Sequence, residues 1–187
     1  MNELLIRLRG GDLRYDGKAN EVAEDVIRNP NLLEKLTEGL DEPDDVVRAR
    51  TMHAFERISR TSQRSLLKLM PKFVRLAIDD RVPMVRCHLA MIFGNMALLK
   101  EAADLATSTL MRVLDDDSVF VKSWAMVSLT IIGRRNESRR HQIIEKMRTL
   151  RDHKSIAIRT KARKALDILE YEDVPIPSGW FKSKDGA

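Results

Sequence analysis

The sequence repeats one pattern about every 37 residues. An acidic residue is followed seven positions later by a basic residue, and Val or Ile directly precedes that base. Four segments carry the pattern, with the acid and base pairs Asp41 and Arg48, Asp79 and Arg86, Asp115 and Lys122, and Asp152 and Arg159. A period of this length is typical of solenoids, whose units bury their apolar faces only against neighbouring units.

Each unit is predicted to contain two helices, the second of which begins near the basic residue. Counted from that base, positions three, six, seven and ten are apolar or small in nearly every unit, and they lie on one side of a 3.6-residue helix. These positions hold Thr51, Ala54, Phe55 and Ile58; Leu89, Ile92, Phe93 and Met96; Ala125, Ser128, Leu129 and Ile132; and Ala162, Ala165, Leu166 and Leu169. The alternation typical of strands is absent, and aromatic residues make up only 5% of the chain, so we expect an all-α protein.

The pattern resembles the HEAT-repeat family, with armadillo repeats as its close relative. The fourth unit shows the resemblance best, through Asp152, Ile158-Arg159, Ala162, Ala165-Leu166 and Leu169. The resemblance implies a right-handed α-solenoid in which the four acids and four bases form a ladder between stacked repeats. Lys122 departs from the family pattern, because a lysine provides a point charge instead of a two-pronged guanidinium.

We therefore predict about four HEAT-like helix pairs in residues 31–170, at about 31–65, 66–103, 104–140 and 141–170. Residues 1–30 are predicted to form a helical cap, because the end of an open stack would otherwise expose apolar surface. Residues 171–187 are predicted to form an extended tail that folds back through Trp180 and Phe181.

Composition narrows the class of protein. Apolar residues make up 43% of the chain and charged residues 33%, which indicates a globular domain. The single cysteine, Cys87, excludes an internal disulfide framework and a cysteine-based zinc site. The first residues lack the pattern of a secretory signal peptide, so we expect a cytoplasmic protein.

The flank of the second helices is the first candidate for a binding surface. Positions two and five after each base place basic, aromatic and apolar side chains in one band, and the candidate partner-binding residues are Arg50, His88, Met91, Trp124, Val127, Lys161 and Lys164. Such a band suits a partner helix or peptide. The alternative is that Trp124 and Val127 fill the seam between repeats, and the sequence leaves this open.

The second candidate is a basic patch of Arg134, Arg135, Arg139 and Arg140, which we predict in a loop between the third and fourth repeats. Clustered arginines can bind nucleic-acid phosphates or an acidic partner. The alternative is a solvated face with no ligand, since no aromatic residues are interleaved among the bases.

No residue pattern indicates catalysis, a cofactor or a metal. The histidines lack metal-ligand spacing, and the run of three acids at 115–117 lacks the spacing and glycine of a calcium loop. The sequence thus favours a non-catalytic scaffold that binds a protein or peptide, with self-association possible. The alternatives are a nucleic-acid-binding protein and a HEAT-like DNA glycosylase.

Overall fold

The computed structural model describes residues 2–180 apart from the side chain of Leu98, and this part of the chain contains helices and no strands. The α-helices are α1 (Glu3–Arg7), α2 (Ala19–Arg28), α3 (Leu33–Thr37), α4 (Asp45–Ser59), α5 (Met70–Asp79), α6 (Pro83–Asn95), α7 (Lys100–Val113), α8 (Val119–Arg135), α9 (Glu137–Thr149) and α10 (Ile156–Glu170). Four 3-10 segments lie between them, at Pro30–Leu32, Glu38–Leu40, Gln63–Leu69 and Met96–Leu98. Phe181, predicted to anchor the tail, lies outside the described residues.

The helices form two layers. The second helices α4, α6, α8 and α10 pack side by side in chain order, while α7 contacts α6 and α8, and α9 contacts α8 and α10. At the N-terminal end α2 packs on α4, as each second helix packs on the next. The predicted all-α solenoid is confirmed, and α2 of the predicted cap adds one more helix to the layer of second helices.

The core lies between the two layers. All sixteen side chains at positions three, six, seven and ten after the bases are buried, as the periodicity predicts. The rings of Phe55 on α4 and Phe73 on α5 meet edge to face, with 5.5 Å between their centroids. Between α6 and α8 the helices approach so closely that a Cβ on Gly94 would lie 2.5 Å from the hydroxyl oxygen of Ser128, so Gly94 is required for this packing distance.

Ion pairs between successive repeats run along the start of the second helices. Arg48 Nε on α4 donates to Asp80 Oδ2 of the following repeat at 2.9 Å, and both side chains are nearly buried. Asp80 also accepts a hydrogen bond from the backbone N–H of Val82 at 2.8 Å. The hydrogen bond with the Asp80 carboxylate raises the pKa of Arg48 above its ordinary value. The pair therefore fixes the turn before α6 against the preceding second helix.

The next ion pair has the same construction. Arg86 donates from Nε and Nη2 to Asp116, and Asp116 accepts from the backbone N–H of Ser118 at 2.8 Å. Arg9 and Glu42 continue the series toward the N-terminus, with 3.7 Å between Nη2 and Oε2.

The acids of this ladder differ from the predicted ones. Each observed acid lies six positions before the base of its own repeat, whereas the predicted acids lie seven positions before it. Asp80 and Asp116 therefore take the place of the predicted Asp79 and Asp115. At the seventh position, Asp41 and Asp115 pair instead with lysines of the following first helix, Lys72 and Lys146. Asp79 and Asp152 are exposed and form no ion pair within the described residues. The reason is geometric, since only the side chain six positions before a base faces the base of the preceding repeat.

The fourth repeat breaks the series. Lys122 faces His153, which occupies the acid's position, and the His153 ring accepts from the backbone N–H of Ser155 at 3.0 Å. Burial, and then the charge of Lys122, lowers the pKa of His153. This position therefore keeps the turn-forming hydrogen bond but supplies no carboxylate to Lys122.

The junction between the third and fourth repeats also differs from the prediction. Only Asn136 separates α8 from α9, so the segment predicted as a basic loop is divided between the end of one helix and the start of the next. The predicted boundary at residues 140 and 141 falls inside α9.

Replacing Asp80 by Asn is expected to lower the free energy of unfolding by about 2 kcal/mol, because it leaves the largely buried Arg48 guanidinium with only Asp45 of its own helix as a counter-charge. Replacing the adjacent and exposed Asp79 by Asn is expected to change it by less than about 0.5 kcal/mol. Urea unfolding followed by circular dichroism measures both. Equal losses for the two variants would contradict the assignment of the ladder to Asp80.

Candidate partner-binding surface

The N-terminal part of the predicted surface is occupied by the chain itself. Arg50 on α4 is buried, and its guanidinium donates to the carbonyl oxygens of Leu8 at 2.9 Å, Gly10 at 2.6 Å and Tyr15 at 3.1 Å. Arg50 therefore holds the segment between α1 and α2 in place. The expectation that Arg50 faces a partner is wrong, because these carbonyl groups already use its donors.

Glycine allows this segment to converge on Arg50. Gly10, Gly11 and Gly17 have φ angles of 79°, 70° and 53°, which side-chain-bearing residues rarely adopt. A Cβ on Gly17 would lie 2.8 Å from Arg50 Cζ. The glycines at 10, 11 and 17 were thus the sequence signal for a tightly folded segment, although the sequence did not show which side chain it surrounds. We call residues 8–18, which Arg50 holds in place, the clamped segment.

Two histidines lie beside the clamped segment. His53 contacts Asn20 Oδ1 through Nε2 at 3.1 Å and Asp16 Oδ1 through Nδ1 at 3.2 Å. Its ring centroid is 5.0 Å from that of His88, which is 8% exposed. Burial, with a smaller effect from His53, lowers the pKa of His88 to about 4. His88 is therefore a neutral interior side chain near pH 7, not a cationic contact for a partner.

The middle of the predicted band is a seam between repeats. Met91 and Val127 are buried, so they stabilise the stacking of α6 and α8 and are not available for a partner. Nearby, a buried polar cluster that the sequence analysis missed joins α4 to α6, in which Asn95 Nδ2 donates to Ser59 Oγ at 2.8 Å and to Glu56 Oε1 at 3.3 Å.

The C-terminal part of the band is accessible. Trp124 packs against the core but stays partly exposed, Lys161 is partly exposed and Lys164 is exposed. Trp180 of the chain's own tail lies over this region, with 5.1 Å between Lys161 Nζ and the ring centroid. We call Trp124, Lys161 and Lys164 the C-terminal surface. Burial, and then the charge of Lys164, lowers the pKa of Lys161.

Three arginines of the predicted basic patch bind within the molecule. Arg134 donates to the carbonyl oxygens of Ile168, Tyr171 and Glu172 at the end of α10, with 2.8 Å to Tyr171. Arg140 Nε donates to the carbonyl oxygen of Gly133 at 3.1 Å.

The third of these arginines, Arg139, forms an ion pair with Asp104 of α7. Only Arg135 of the four has an exposed side chain. Arginines that cap helix ends and pair with acids are structural, so Arg134, Arg139 and Arg140 form neither the ligand-binding patch nor the solvated face that the sequence left open.

Within residues 2–180 no cluster of three or more potential metal ligands occurs. In the same part of the chain, no helix combines the length and the apolar character needed to cross a membrane.

Comparisons with known proteins give the fold. No protein-family model and no curated protein matches the sequence. Among solved structures, a complex of CpcE and CpcF of phycocyanin lyase from Nostoc sp. PCC7120 is similar with a TM-score of 0.69 and 15% identity, over 87% of this chain and 95% of that one. The chain has a HEAT/armadillo-like fold.

Designed armadillo repeat proteins are similar too. One, made for modular peptide recognition, has a TM-score of 0.64 and 21% identity over 88% of this chain and 79% of that one. Another, in complex with the peptide (KR)4, has a TM-score of 0.66 and 20% identity over 89% and 80% of the two chains. At these low identities the structural similarity shows the HEAT/armadillo-like fold alone.

Lowering the pH from 7 to 5 is expected to cost this HEAT/armadillo-like solenoid about 2 kcal/mol of stability through His88. The unfolded histidine takes up a proton below its ordinary pKa of 6.5, whereas the folded one does so only near 4, so stability falls as the pH drops between these values. Urea unfolding of the wild type and of His88→Gln at both pH values tests this. The exposed His141→Gln is the control, and an equal loss in all three proteins would contradict the assignment.

Proposed function

We propose that this protein is a non-catalytic scaffold that binds an extended segment of another protein on its C-terminal surface. The observation that carries the proposal is the contact between Trp180 and Lys161. A non-helical segment of the chain itself, residues 171–180, already reaches the second-helix flank and places an aromatic ring over a cation. The same surface can therefore accept an extended peptide of similar chemistry.

The charges of the surface indicate which peptides it favours. Lys161 and Lys164 lie one turn apart on α10, and within residues 2–180 neither forms an ion pair with a carboxylate. An Asp or Glu in the peptide would supply that counter-charge in a partly desolvated setting, and an aromatic side chain would replace Trp180 or contact Trp124. We therefore propose a partner segment that combines acidic and aromatic residues.

A cytoplasmic location agrees with the single cysteine, Cys87, which is buried and forms no disulfide within the described residues. Nucleic acid is the alternative partner, because Arg135, Arg151, Lys154 and Arg163 are exposed near the C-terminal end. It receives less support than a peptide, since Arg134, Arg139 and Arg140 of the predicted patch bind groups within the molecule. The HEAT-like glycosylase alternative rested on Trp124 and the basic end as a whole, and it loses the part of that support that came from these three arginines.

Selection of random 12-residue peptides on the purified protein is expected to enrich sequences with acidic and aromatic residues. For a selected peptide, the double variant Lys161→Glu with Lys164→Glu is expected to weaken binding at least about tenfold, because it reverses both cations. The variant Trp180→Ala is expected to strengthen binding, since the tail no longer competes. Fluorescence anisotropy of the labelled peptide measures both effects.

The double variant Lys68→Glu with Lys100→Glu makes the same change of net charge at exposed positions away from the surface, and it should bind like the wild type. Equal losses in both double variants would reduce the effect to net charge and contradict the proposal. Tight binding of a single-stranded oligonucleotide that weakens steeply with salt would favour the nucleic-acid alternative instead.

A further inference from the structure

The last arginine of the ladder adopts the pose of the paired ones. Arg48 Nη1 donates to the carbonyl oxygen of Glu42 at 2.8 Å, six positions before it. Arg159 Nη1 donates to the carbonyl oxygen of His153 at 2.8 Å, also six positions before it. Both also bind the next carbonyl along the chain, at 3.3 Å for Arg48 and 3.1 Å for Arg159. Two backbone acceptors thus fix one nitrogen of each guanidinium.

The other edge of the guanidinium differs between them. In Arg48 it binds Asp80 and also Asp45 of the same helix, and in Arg86 it binds Asp116; Asp80 and Asp116 are each supplied by the following repeat. Arg159 belongs to the fourth repeat, and the described residues that follow α10, residues 171–180, contain no helix. Within residues 2–180 no carboxylate lies within ion-pair distance of Arg159. Within the described residues its Nε and Nη2 donors therefore have no acceptor from another repeat, whereas those of Arg48 and Arg86 in the first and second repeats bind Asp.

The surroundings of Arg159 complete a small docking site. Ile156, one turn before it on α10, is 71% exposed. Lys122 on α8 lies near His153 and also forms no ion pair within the described residues, while Phe120 beside it is 53% exposed. Arg159 and Lys122, neither of which forms an ion pair within the described residues, are thus each close in sequence to an exposed apolar side chain. An anionic group flanked by apolar residues complements this combination of charge and apolar surface.

We propose that Arg159, Lys122, Ile156 and Phe120 form a docking site for a partner protein that presents an Asp or Glu at the start of a helix. The ladder itself shows what fits, because the acids at positions 80 and 116 each precede a second helix and bind an arginine in the same pose. This open ladder site lies at the start of the second helices. It is independent of the proposed function, which uses the C-terminal surface.

Head-to-tail stacking of a second copy of the chain does not offer the required group. The first ladder acid, Glu42, is paired with Arg9, and at the N-terminal end Arg7 Nη1 pairs with Asp25 at 2.7 Å. Association of the N-terminal end with the open ladder site of another copy would have to break these contacts. The proposal therefore commits to a different protein as the occupant.

The probe is a synthetic peptide with the sequence of residues 114–124, which contains the acid of the third repeat and the start of α8. In nuclear magnetic resonance titrations it is expected to shift the amide signals of residues 153–160 and the Nε–H signal of Arg159, with a Kd on the order of 1 mM. The same peptide with Asn at position 116 is expected to produce no saturable shift.

Protein variants separate a site from general attraction. Arg159→Gln is expected to abolish the shifts, and Arg159→Lys, which keeps the charge but loses the two-pronged donor, to weaken binding about tenfold. The matched control Arg163→Gln removes an exposed arginine one turn later on α10 and should leave binding unchanged. Circular dichroism checks that each variant is folded.

Three results would overturn the proposal. The first is equal shifts with the Asp and Asn peptides, and the second is no saturable shift of residues 153–160. The third is an Arg159-dependent dimer in sedimentation velocity without peptide, which would make a second copy the occupant. Because Lys161 and Lys164 are not part of this site, none of these results bears on the proposed function of the C-terminal surface.

Discussion

The arrangement of this molecule depends on ion pairs that join each second helix to the turn of the next repeat. Apolar burial supplies most of the stabilisation, but it has no direction and would tolerate small shifts of one repeat on another. A guanidinium held by backbone carbonyls and bound to a carboxylate sets both distance and angle. Arg48 with Asp80 and Arg86 with Asp116 thus fix the register in which the apolar faces meet.

This constraint explains why the two ends of the molecule differ. At the N-terminal end the series is complete, since Glu42 is paired and Arg50 binds the preceding segment through its carbonyl groups. At the C-terminal end, Lys122 and Arg159 form no ion pair with a carboxylate of the described residues. At the N-terminal end the preceding segment also covers the flank of the second helix α4. At the C-terminal end the side chains of Trp124, Lys161 and Lys164 stay at least partly exposed. Both proposed interactions consequently lie in the C-terminal half.

The fold could be predicted because periodic burial follows directly from helix geometry. Residues such as Phe55, Leu89 and Leu166 were assigned to the core by spacing alone, and all of them are buried. The ladder was predicted in kind but displaced by one residue. The sequence aligns four identical Asp residues at the seventh position, whereas the functional position varies from Glu42 through Asp80 and Asp116 to His153. Choosing the position by residue identity therefore selects the seventh position, where all four residues are Asp. It misses the sixth position, whose side chain faces the base of the preceding repeat.

The candidate sites were harder to predict for a different physical reason. An arginine can bind a partner, a carboxylate or the carbonyl groups at the end of a helix, and its sequence neighbours do not distinguish these roles. Arg50 and Arg134 both bind backbone carbonyls from segments more than thirty residues away. Likewise, whether Trp124 and Val127 face a seam or solvent depends on the distance between α6, α8 and α10. That distance is set by close contacts such as Gly94 with Ser128.

The central claim is that the ion pair couples neighbouring repeats, and a double-mutant cycle on Arg86 and Asp116 tests it most directly. The free energies of unfolding of the wild type, Arg86→Gln, Asp116→Asn and the double variant would be measured in urea. The account predicts a coupling energy of about 2 kcal/mol, because either single change leaves a largely buried charge unpaired. Additive effects of the two changes, within about 0.5 kcal/mol, would show that the repeats are held in register by apolar packing alone.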